Sequence, residues 1–154
     1  MSPHHEARLA ALGLTLPPSS PPQAHYANCV QVGSLLFVAG KGPADATLIG
    51  KVGREFTTDE GFAICRSVGL EVLAAVRDHL GSLDRVRRVV RVQGFINATE
   101  EFASHHLVLD GLSGLMVEVF GDAGIHTRSV FGAASLRGNL PVIAEAIFEV
   151  DAPA

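Results

Sequence analysis

One long segment, "TTDEGFAICRSVGLEVLAAVRDHLG" (57–81), constrains the fold most, because helix signals agree at both of its ends. Thr57 and Glu60 have the spacing of a capping box, and Gly81 supplies the C-terminal stop. Between these ends, apolar residues recur at helical spacing on one side: Phe62, Cys65, Val72, Leu73, Val76 and Leu80. The segment therefore predicts a helix with one apolar side, which lies across a sheet.

The segments around this helix have the composition of strands. Two short strands, 29–32 and 35–39, flank a tight turn at Gly33-Ser34. Three longer strands are predicted at 85–97, 127–136 and 142–150, and "DGLSGLMVEVFGDAG" (110–124) between the first two of them predicts a second helix. The order β-β-α-β-α-β-β indicates an α+β two-layer sandwich, in which a mixed β-sheet carries two helices on one face.

The two faces of the predicted sheet differ in what they are expected to contact. Alternation along the strand at 85–97 points four residues toward the helices: Val86, Val90, Val92 and Ile96. The uncovered face includes Phe131, Ala133 and Ser135, which are not strongly polar. We therefore expect that face to be buried against another subunit.

The N-terminal residues are predicted to form an arm rather than a domain. Residues 5–13 have the pattern of a short helix that ends at Gly13, and the proline-rich "LPPSSPPQ" (16–23) predicts an extended connector. We therefore divide the chain into an arm, 1–23, and one domain, 24–154.

Charge and composition exclude several classes of partner. The 154 residues carry a formal net charge of −4, which does not favour nucleic-acid binding. The basic run "DRVRRVVR" is interpreted as a strand whose arginines face solvent or a subunit, with Arg85, Arg87 and Arg91 on one side and Arg88 on the other. No apolar run approaches the roughly 18 residues of a membrane span. We expect a cytoplasmic protein with no membrane partner.

The sequence offers no pattern for a metal or a cofactor. The seven histidines lack metal-ligand spacing, and neither a phosphate-binding loop nor a dinucleotide fingerprint is present. Cys29 and Cys65 do not form a CxxC motif, and both are interpreted as buried, unreactive thiols in a reducing compartment. We therefore expect no metal and no cofactor.

Arg128 stands out because it begins an otherwise apolar strand in "GIHTRSVFGAASL" (124–136). A guanidinium keeps its charge inside a protein, so it requires an anionic partner or solvent. Its planar fork matches a carboxylate. Two interpretations remain open at this point: a ligand carboxylate, or a salt bridge to a protein carboxylate such as Asp122, Glu118 or Glu145.

At these residues the chain resembles the RidA/YjgF family, also called the L-PSP endoribonuclease family. The resemblance covers roughly residues 24–150, and its stretches include "YANCVQVGSLLFVAGKGP", "RVVRVQGFINATEEF", "HTRSVFGAASL" and "VIAEAIFEV". Its most specific part is the "TRS" at Thr127–Ser129, followed by Glu145-Ala146-Ile147. The arm and the "VEVFGDAG" helix are more similar to a divergent branch of about 150 residues.

The resemblance implies a chorismate-mutase-like fold, a homotrimer and ligand clefts between subunits. It also implies hydrolysis of 2-imino or 2-enamino acids to 2-oxo acids and ammonia. In this family the arginine that matches Arg128 holds the substrate carboxylate, and the cleft tyrosine matches Tyr26. Ser129 and the backbone N–H of Val130 are the further substrate-binding candidates.

The chain departs from the deaminases of the family at three positions. Val130 stands where they carry a cysteine, and Ile143 stands where they carry the glutamate that positions water. The family asparagine before the second helix is replaced at Asp110-Gly111. An apolar side chain cannot orient water or hold a proton, so only the anion-binding arginine is evident.

Three functional hypotheses follow from this incomplete set. The first is an imine or enamine deaminase that relies on Arg128 for positioning. The second is a non-catalytic trimer that binds a small carboxylate metabolite between subunits. The third, an endoribonuclease, is disfavoured by the acidic balance and by the lack of a paired histidine acid and base.

Overall fold

The computed structural model describes residues 4–153, and its elements follow the predicted order, preceded by one short helix. The helices are α1 (His5–Ala11), α2 (Thr58–Leu80) and α3 (His105–Phe120). The strands are β1 (Cys29–Val32), β2 (Leu35–Lys41), β3 (Val86–Asn97), β4 (Thr127–Ala133) and β5 (Val142–Val150). Short 3₁₀ turns occupy Leu83–Arg85, Gly121–Gly124 and Arg137–Asn139.

The five strands form one mixed sheet in the order β1-β2-β5-β3-β4. All neighbouring strands run antiparallel except β3 and β4, which are parallel and are connected through α3. Helices α2 and α3 pack on one face of this sheet and on each other. The predicted α+β sandwich with two helices on one face of a mixed sheet is confirmed.

The capping box of α2 forms as the sequence predicts. Thr57 Oγ1 accepts from the backbone N–H of Glu60, and the Glu60 carboxylate accepts from the backbone N–H of Thr57, each at 3.1 Å. Gly81 ends the helix with φ at +84°, in the left-handed region where glycine carries no steric penalty. Helix α2 is thus fixed at both ends by local signals.

The predicted second helix and the strand predicted at 127–136 have different bounds in the structure. Helix α3 begins at His105, five residues before the predicted start at Asp110, and ends at Phe120, where a 3₁₀ turn takes over. Strand β4 ends at Ala133 rather than at residue 136. The N-cap of α3 is Ser104, a residue type that is favoured at this position, although its side chain makes no capping hydrogen bond.

The predicted alternation along β3 is wrong in its first half. The pairing of β3 with β5 shifts between Val86 and Arg88 and again between Val89 and Arg91. Each irregularity adds a residue to one strand and reverses the side that the following residues face. Val89 therefore lies in the core with no exposed surface, whereas Val90 is only half-buried.

The short helix α1 packs on the domain instead of extending from it. Leu9 is buried in the main core, and His5 Nε2 hydrogen-bonds with the carbonyl oxygen of Val86 at 3.1 Å. Glu6 forms an ion pair with Arg77 of α2 at 2.7 Å. These contacts attach the arm to the helical side of the sandwich, and the domain boundary at residue 23 stays a prediction. Within residues 4–153, no helix combines the length and the apolar character that crossing a membrane requires.

Candidate functional site

Arg128 lies on the helical side of the sheet, beneath α3. In β4 it pairs with Val92 of β3, a buried residue that faces the helices. Arg128 Nη1 donates to Asp110 Oδ1 at 2.8 Å and to Ser113 Oγ at 3.1 Å, and Nη2 donates to the His106 carbonyl oxygen at 3.3 Å. The arginine thus joins the end of the sheet to the first turns of α3.

The carboxylate partner of Arg128 is Asp110, and the three predicted partners were wrong. Glu118 pairs with Arg66 at 2.7 Å, Glu145 lies on the opposite face of the sheet, and Asp122 makes no ion pair among the described residues. Because α3 begins early, Asp110 falls in its second turn, directly above Arg128. This placement was not predicted, since the predicted helix started at Asp110 itself.

His126 extends this polar cluster. Its Nδ1 lies 2.6 Å from the Gly124 carbonyl oxygen, and its Nε2 lies 3.0 Å from Ser113 Oγ. Since a carbonyl oxygen only accepts, Nδ1 carries the proton, and Nε2 of the neutral ring accepts from the Ser113 hydroxyl. Burial lowers the pKa of His126, with the Gly124 carbonyl opposing and the nearby Arg128 charge assisting. The ring is therefore a neutral acceptor at physiological pH.

These groups surround an open cavity of about 390 Å³, which we call the Arg128 cavity. Its lining is Asp110, Ser113, Gly114, Val117, Ile125, His126 and Arg128. Arg128 Nε makes no hydrogen bond within the described residues, so the guanidinium retains a free donor despite its ion pair. The cavity therefore presents a cation, a carboxylate and a neutral imidazole side by side.

Tyr26 lies elsewhere, in a second cavity of about 280 Å³ that we call the Tyr26 cavity. Its polar lining includes Lys41, Glu71 and Arg137. The Tyr26 hydroxyl accepts from the backbone N–H of Gln23 at 3.2 Å. In a single chain, the predicted arginine and tyrosine therefore line separate cavities.

Ser129 and Val130 lie on opposite sides of β4. Ser129 faces the uncovered side, where its hydroxyl accepts from Arg91 Nη2 and Gln93 Nε2, each at 3.2 Å. Val130 faces the helices with Arg128 and packs against the core. Ile143, in β5, pairs with Phe95 of β3. A Cβ added to Gly40 would lie 3.1 Å from Cγ2 of Ile143. The two apolar replacements, Val130 and Ile143, thus lie on opposite faces of the sheet.

The uncovered side of the sheet, which we call the open face, is largely apolar. Phe131 is 50% exposed and Val32 is 64% exposed, although both are strand residues. A cavity of about 310 Å³ on this face has Val30, Phe37 and Ile147 beside Arg91, Gln93 and Glu145. The structure therefore leaves uncovered the face that the sequence predicts to meet another subunit.

The two cysteines are unsuited to nucleophilic chemistry. Burial raises the pKa of Cys29 to about 11, and burial raises the pKa of Cys65 to about 12. Thiols with such pKa values are protonated at neutral pH and poorly reactive. Within residues 4–153, no group of three or more His, Cys, Asp or Glu side chains is arranged to hold a metal ion.

Sequence patterns did not indicate His126, Lys41, Glu71 or Arg137 as cavity residues, and they marked Asp110 only as a replacement of the family asparagine. Lys41 belongs to "GKGP" (40–43), which fails as a phosphate-binding loop and has no other motif. Glu71 lies at a buried position of α2 between Leu70 and Val72. A carboxylate within this apolar run was the one sequence feature that could have indicated a functional role for Glu71. Their proximity depends on the packing of α2 against β2 and on the path of the arm.

Comparisons with known proteins agree with this architecture. Residues 6–145 match the family model "YjgF/chorismate_mutase-like, putative endoribonuclease". The Trypanosoma cruzi protein TCP17 is 34% identical over 149 residues, which cover 94% of this chain and 93% of that protein.

Solved structures are similar over nearly the whole chain. A Shewanella oneidensis protein described as a "putative endoribonuclease" is 30% identical, with a TM-score of 0.92, and the match covers 96% of this chain and 100% of that one. An Agrobacterium tumefaciens protein of unknown function is 35% identical, with a TM-score of 0.86 and coverage of 96% and 92%. Escherichia coli TdcF, solved with bound serine, is 20% identical, with a TM-score of 0.56 and coverage of 85% and 92%, and shares the fold.

Proposed function

Because this chain belongs to the YjgF/chorismate-mutase-like family, we propose that it binds small 2-imino or 2-enamino acids and hydrolyses them to 2-oxo acids and ammonia. The observation that carries this proposal is the Arg128 cavity, where a guanidinium with a free Nε–H lies 2.8 Å from the Asp110 carboxylate. An iminium carboxylate has the complementary pair of charges. No cofactor is needed for this hydrolysis.

Arg128 and Asp110 have separate roles in this proposal. The free donors of Arg128 hold the substrate carboxylate, and charge-assisted hydrogen bonds make that contact strong. Asp110 Oδ1 or Oδ2 accepts from the iminium N–H or from the attacking water. The backbone N–H of Val130 is a further donor candidate, and Val130, Ser129 and Tyr26 stay predictions from the family resemblance.

Water chemistry at this site requires a group that accepts a proton. The water oxygen attacks C2 while one of its protons passes to a neighbouring base, which gives a carbinolamine. The base returns that proton to the nitrogen, and the C–N bond then breaks as the hydroxyl proton is lost and the C2=O bond forms, which releases ammonia and the 2-oxo acid. His126 Nε2 is unprotonated and belongs to the same cavity, and the Asp110 carboxylate lies 2.8 Å from Arg128 Nη1. These two groups replace the water-positioning glutamate whose place Ile143 takes.

A second candidate function is non-catalytic binding of a small carboxylate metabolite. Val130 and Ile143, which carry no proton-handling group where the deaminases carry cysteine and glutamate, favour this alternative. The serine bound in the TdcF structure also supports small-carboxylate binding on this fold. The two candidates differ only in whether water attacks the bound molecule.

We further propose that the protein assembles as a cytoplasmic homotrimer. The exposed apolar side chains of the open face support burial by other copies of the chain. Clefts between subunits would then be the place where Tyr26 of one copy approaches Arg128 of another. The two protonated thiols, Cys29 and Cys65, suit a reducing compartment.

An imine hydrolysis assay tests the catalytic proposal. The 2-imino acids are generated freshly by an amino-acid oxidase, and release of 2-oxo acid is followed with and without the protein. We expect acceleration by the wild type and a loss of roughly tenfold or more in Arg128→Ala, because a charge-assisted hydrogen bond contributes about 1.5–3 kcal/mol.

Arg54→Ala is the matched control, because Arg54 is an exposed arginine whose one ion pair within residues 4–153 is with its neighbour Glu55. We expect this variant to retain the wild-type rate. If aliphatic and aromatic imines are hydrolysed no faster than without protein, the deaminase proposal fails and the binding candidate takes its place.

A further inference from the structure

The arm helix α1 packs at the C-terminal end of α3. The ring of His5 lies edge-on against Phe120, with ring centroids 4.7 Å apart, and Leu9 is buried in the core. Arg8 is exposed between them, and its Nε donates to the carbonyl oxygen of Glu118 at 2.6 Å. Because His5 and Leu9 anchor α1 on both sides of Arg8, the guanidinium is held in one place over the end of α3.

Arg8 satisfies a backbone group that α3 cannot satisfy by itself. The last carbonyl groups of an α-helix have no partner within the helix, and a cation is favoured at that end. Glu118 belongs to the last turn of α3, which has no basic residue of its own. Gly121 then leaves the helix with φ at +63°, and a Cβ built on it would lie 3.2 Å from Arg8 Nη1. Arg8 therefore contacts both the last turn of α3 and the first residue of the 3₁₀ turn that follows.

That 3₁₀ turn, Gly121–Gly124, determines where His126 lies in the Arg128 cavity. Gly124 packs so closely on the Met116 carbonyl oxygen that a Cβ would not fit, so the position of the turn follows that of the end of α3. The Gly124 carbonyl accepts from His126 Nδ1 at 2.6 Å. The hydrogen bond of one ring nitrogen decides which nitrogen of a neutral histidine carries the proton. The turn therefore orients the ring of His126 and leaves its Nε2 as the acceptor.

We propose that Arg8 of the arm is a positioning residue for the Arg128 cavity. Arg8 joins the end of α3 to the turn, the Gly124 carbonyl holds the ring of His126, and His126 presents Nε2 to the cavity. Arg8 is not part of the cavity lining, so it acts only through α3 and the turn. The role of His126 as a base rests on the proposed function, whereas the connection from the arm to the ring goes beyond it.

Side-chain NMR of isotope-labelled histidine tests this connection without any ligand. Correlations between the ring protons and ring nitrogens report which nitrogen is protonated, and His126→Gln identifies the signals of His126. We expect the wild type to show the Nδ1–H tautomer and a pKa below 6.5, because burial lowers the pKa of His126. Arg8→Met keeps the length of the side chain without its donors, so it should give a mixture of tautomers and a pKa closer to 6.5. Arg8→Lys restores a charged donor and should return His126 toward its wild-type state.

Arg66→Met is the matched control, because Arg66 contacts the same residue of α3 through a different group. Arg66 Nη1 forms an ion pair with the Glu118 carboxylate at 2.7 Å, whereas Arg8 donates to the Glu118 carbonyl oxygen. Each substitution removes one cation, and thermal unfolding measures the stability that each variant loses. We expect wild-type His126 signals in Arg66→Met. Wild-type signals in Arg8→Met overturn the proposal, and equal changes in both variants overturn it too, since they would reflect a general loss of stability.

Imine hydrolysis gives a second measurement that separates this proposal from the catalytic one. We expect Arg8→Met to lower kcat by about tenfold and to leave KM close to the wild-type value, because a small displacement of a catalytic group slows the reaction while Arg128 still holds the substrate. Changed His126 signals with an unchanged kcat support the positioning by Arg8 and refute His126 as the base. If the wild type hydrolyses no imine, the deaminase proposal fails, and the His126 signals still support or overturn the role of Arg8.

Discussion

The two faces of the sheet have similar apolar side chains but opposite environments. On the face under α2 and α3, Phe148 and Val92 have no exposed surface. On the open face, Phe131 is 50% exposed and Phe37 is 42% exposed. The helical face is completed within one chain, whereas the open face needs other molecules to cover it. An apolar strand pattern thus specifies burial without specifying which partner provides it.

Truncation of one phenylalanine on each face should give the largest difference in unfolding free energy between the two faces. Phe148→Ala removes a fully buried ring that packs edge-on against Phe120 at 6.2 Å, so we expect a loss of about 3–5 kcal/mol in unfolding free energy. Phe131→Ala should cost the isolated chain about 0.5 kcal/mol or less. Denaturant unfolding at low protein concentration measures both.

Of two substitutions with a charged residue, only the one on the open face should change the oligomeric state. Phe131→Asp is expected to yield monomers in light scattering, because it places a charge on the proposed subunit interface. Leu12→Asp changes an exposed leucine of the arm, 42% exposed, and should leave the assembly intact. A wild type that is monomeric at micromolar to millimolar concentration would contradict the trimer.

Alanine substitutions at two glycines of α3 should change the free energy of unfolding by a smaller amount. The two changes report how tightly α2 and α3 pack on each other. A Cβ on Gly111 would lie 2.1 Å from the Phe62 carbonyl oxygen, so Gly111→Ala must separate α2 from α3. We expect about 1–3 kcal/mol of destabilisation. A Cβ on Gly114 would meet nothing within 4 Å, and Gly114→Ala should stabilise the helix by about 0.5–1 kcal/mol. Equal melting temperatures for the two variants would show that the helices are not in close contact.

The smallest expected change in stability concerns α1 of the arm, which packs on the helical side of the sandwich. Burial lowers the pKa of His5 below 6.5, although its hydrogen bond with Val86 opposes this shift. The unfolded chain therefore binds a proton more readily than the folded chain, so this contribution to stability is present above pH 6.5 and is lost as pH falls through that range. His5→Gln should reduce the acid sensitivity of α1, measured by amide hydrogen exchange at pH 7.5 and 5.5. If hydrogen exchange in α1 depends on pH in His5→Gln as it does in the wild type, groups other than His5 cause the loss of stability at low pH.

Local signals account for what could be predicted of the fold. The capping box at Thr57 and Glu60 and the left-handed Gly81 define α2 within one contiguous segment, and the hairpin around Gly33-Ser34 needs four paired residues on each side. By contrast, Val89 replaces Val90 in the core because β3 is irregular against β5, whose residue paired with Val89 is Phe148, 59 positions later in the chain. Strand irregularities depend on the partner strand, so alternation in β3 alone could not reveal them.

The candidate site was predictable only in its chemistry. The sequence identifies Arg128 as a cation that needs an anion, and the family resemblance names Tyr26 and Ser129 beside it. The structure places Tyr26 in another cavity and Ser129 on the other face of the sheet. It also supplies Asp110 as the partner carboxylate, because α3 starts five residues earlier than predicted and so carries Asp110 above Arg128.

The sequence by itself therefore determined the order of elements, the two-layer architecture and the need for an anion at Arg128. These follow from short-range capping, side-chain periodicity and the permanent charge of a guanidinium. Tertiary structure alone decided that Asp110 meets Arg128 and that Lys41, Glu71 and Arg137 share a cavity. Such groupings join distant segments, and no local pattern records them because they arise only when helices, strands and arm pack together.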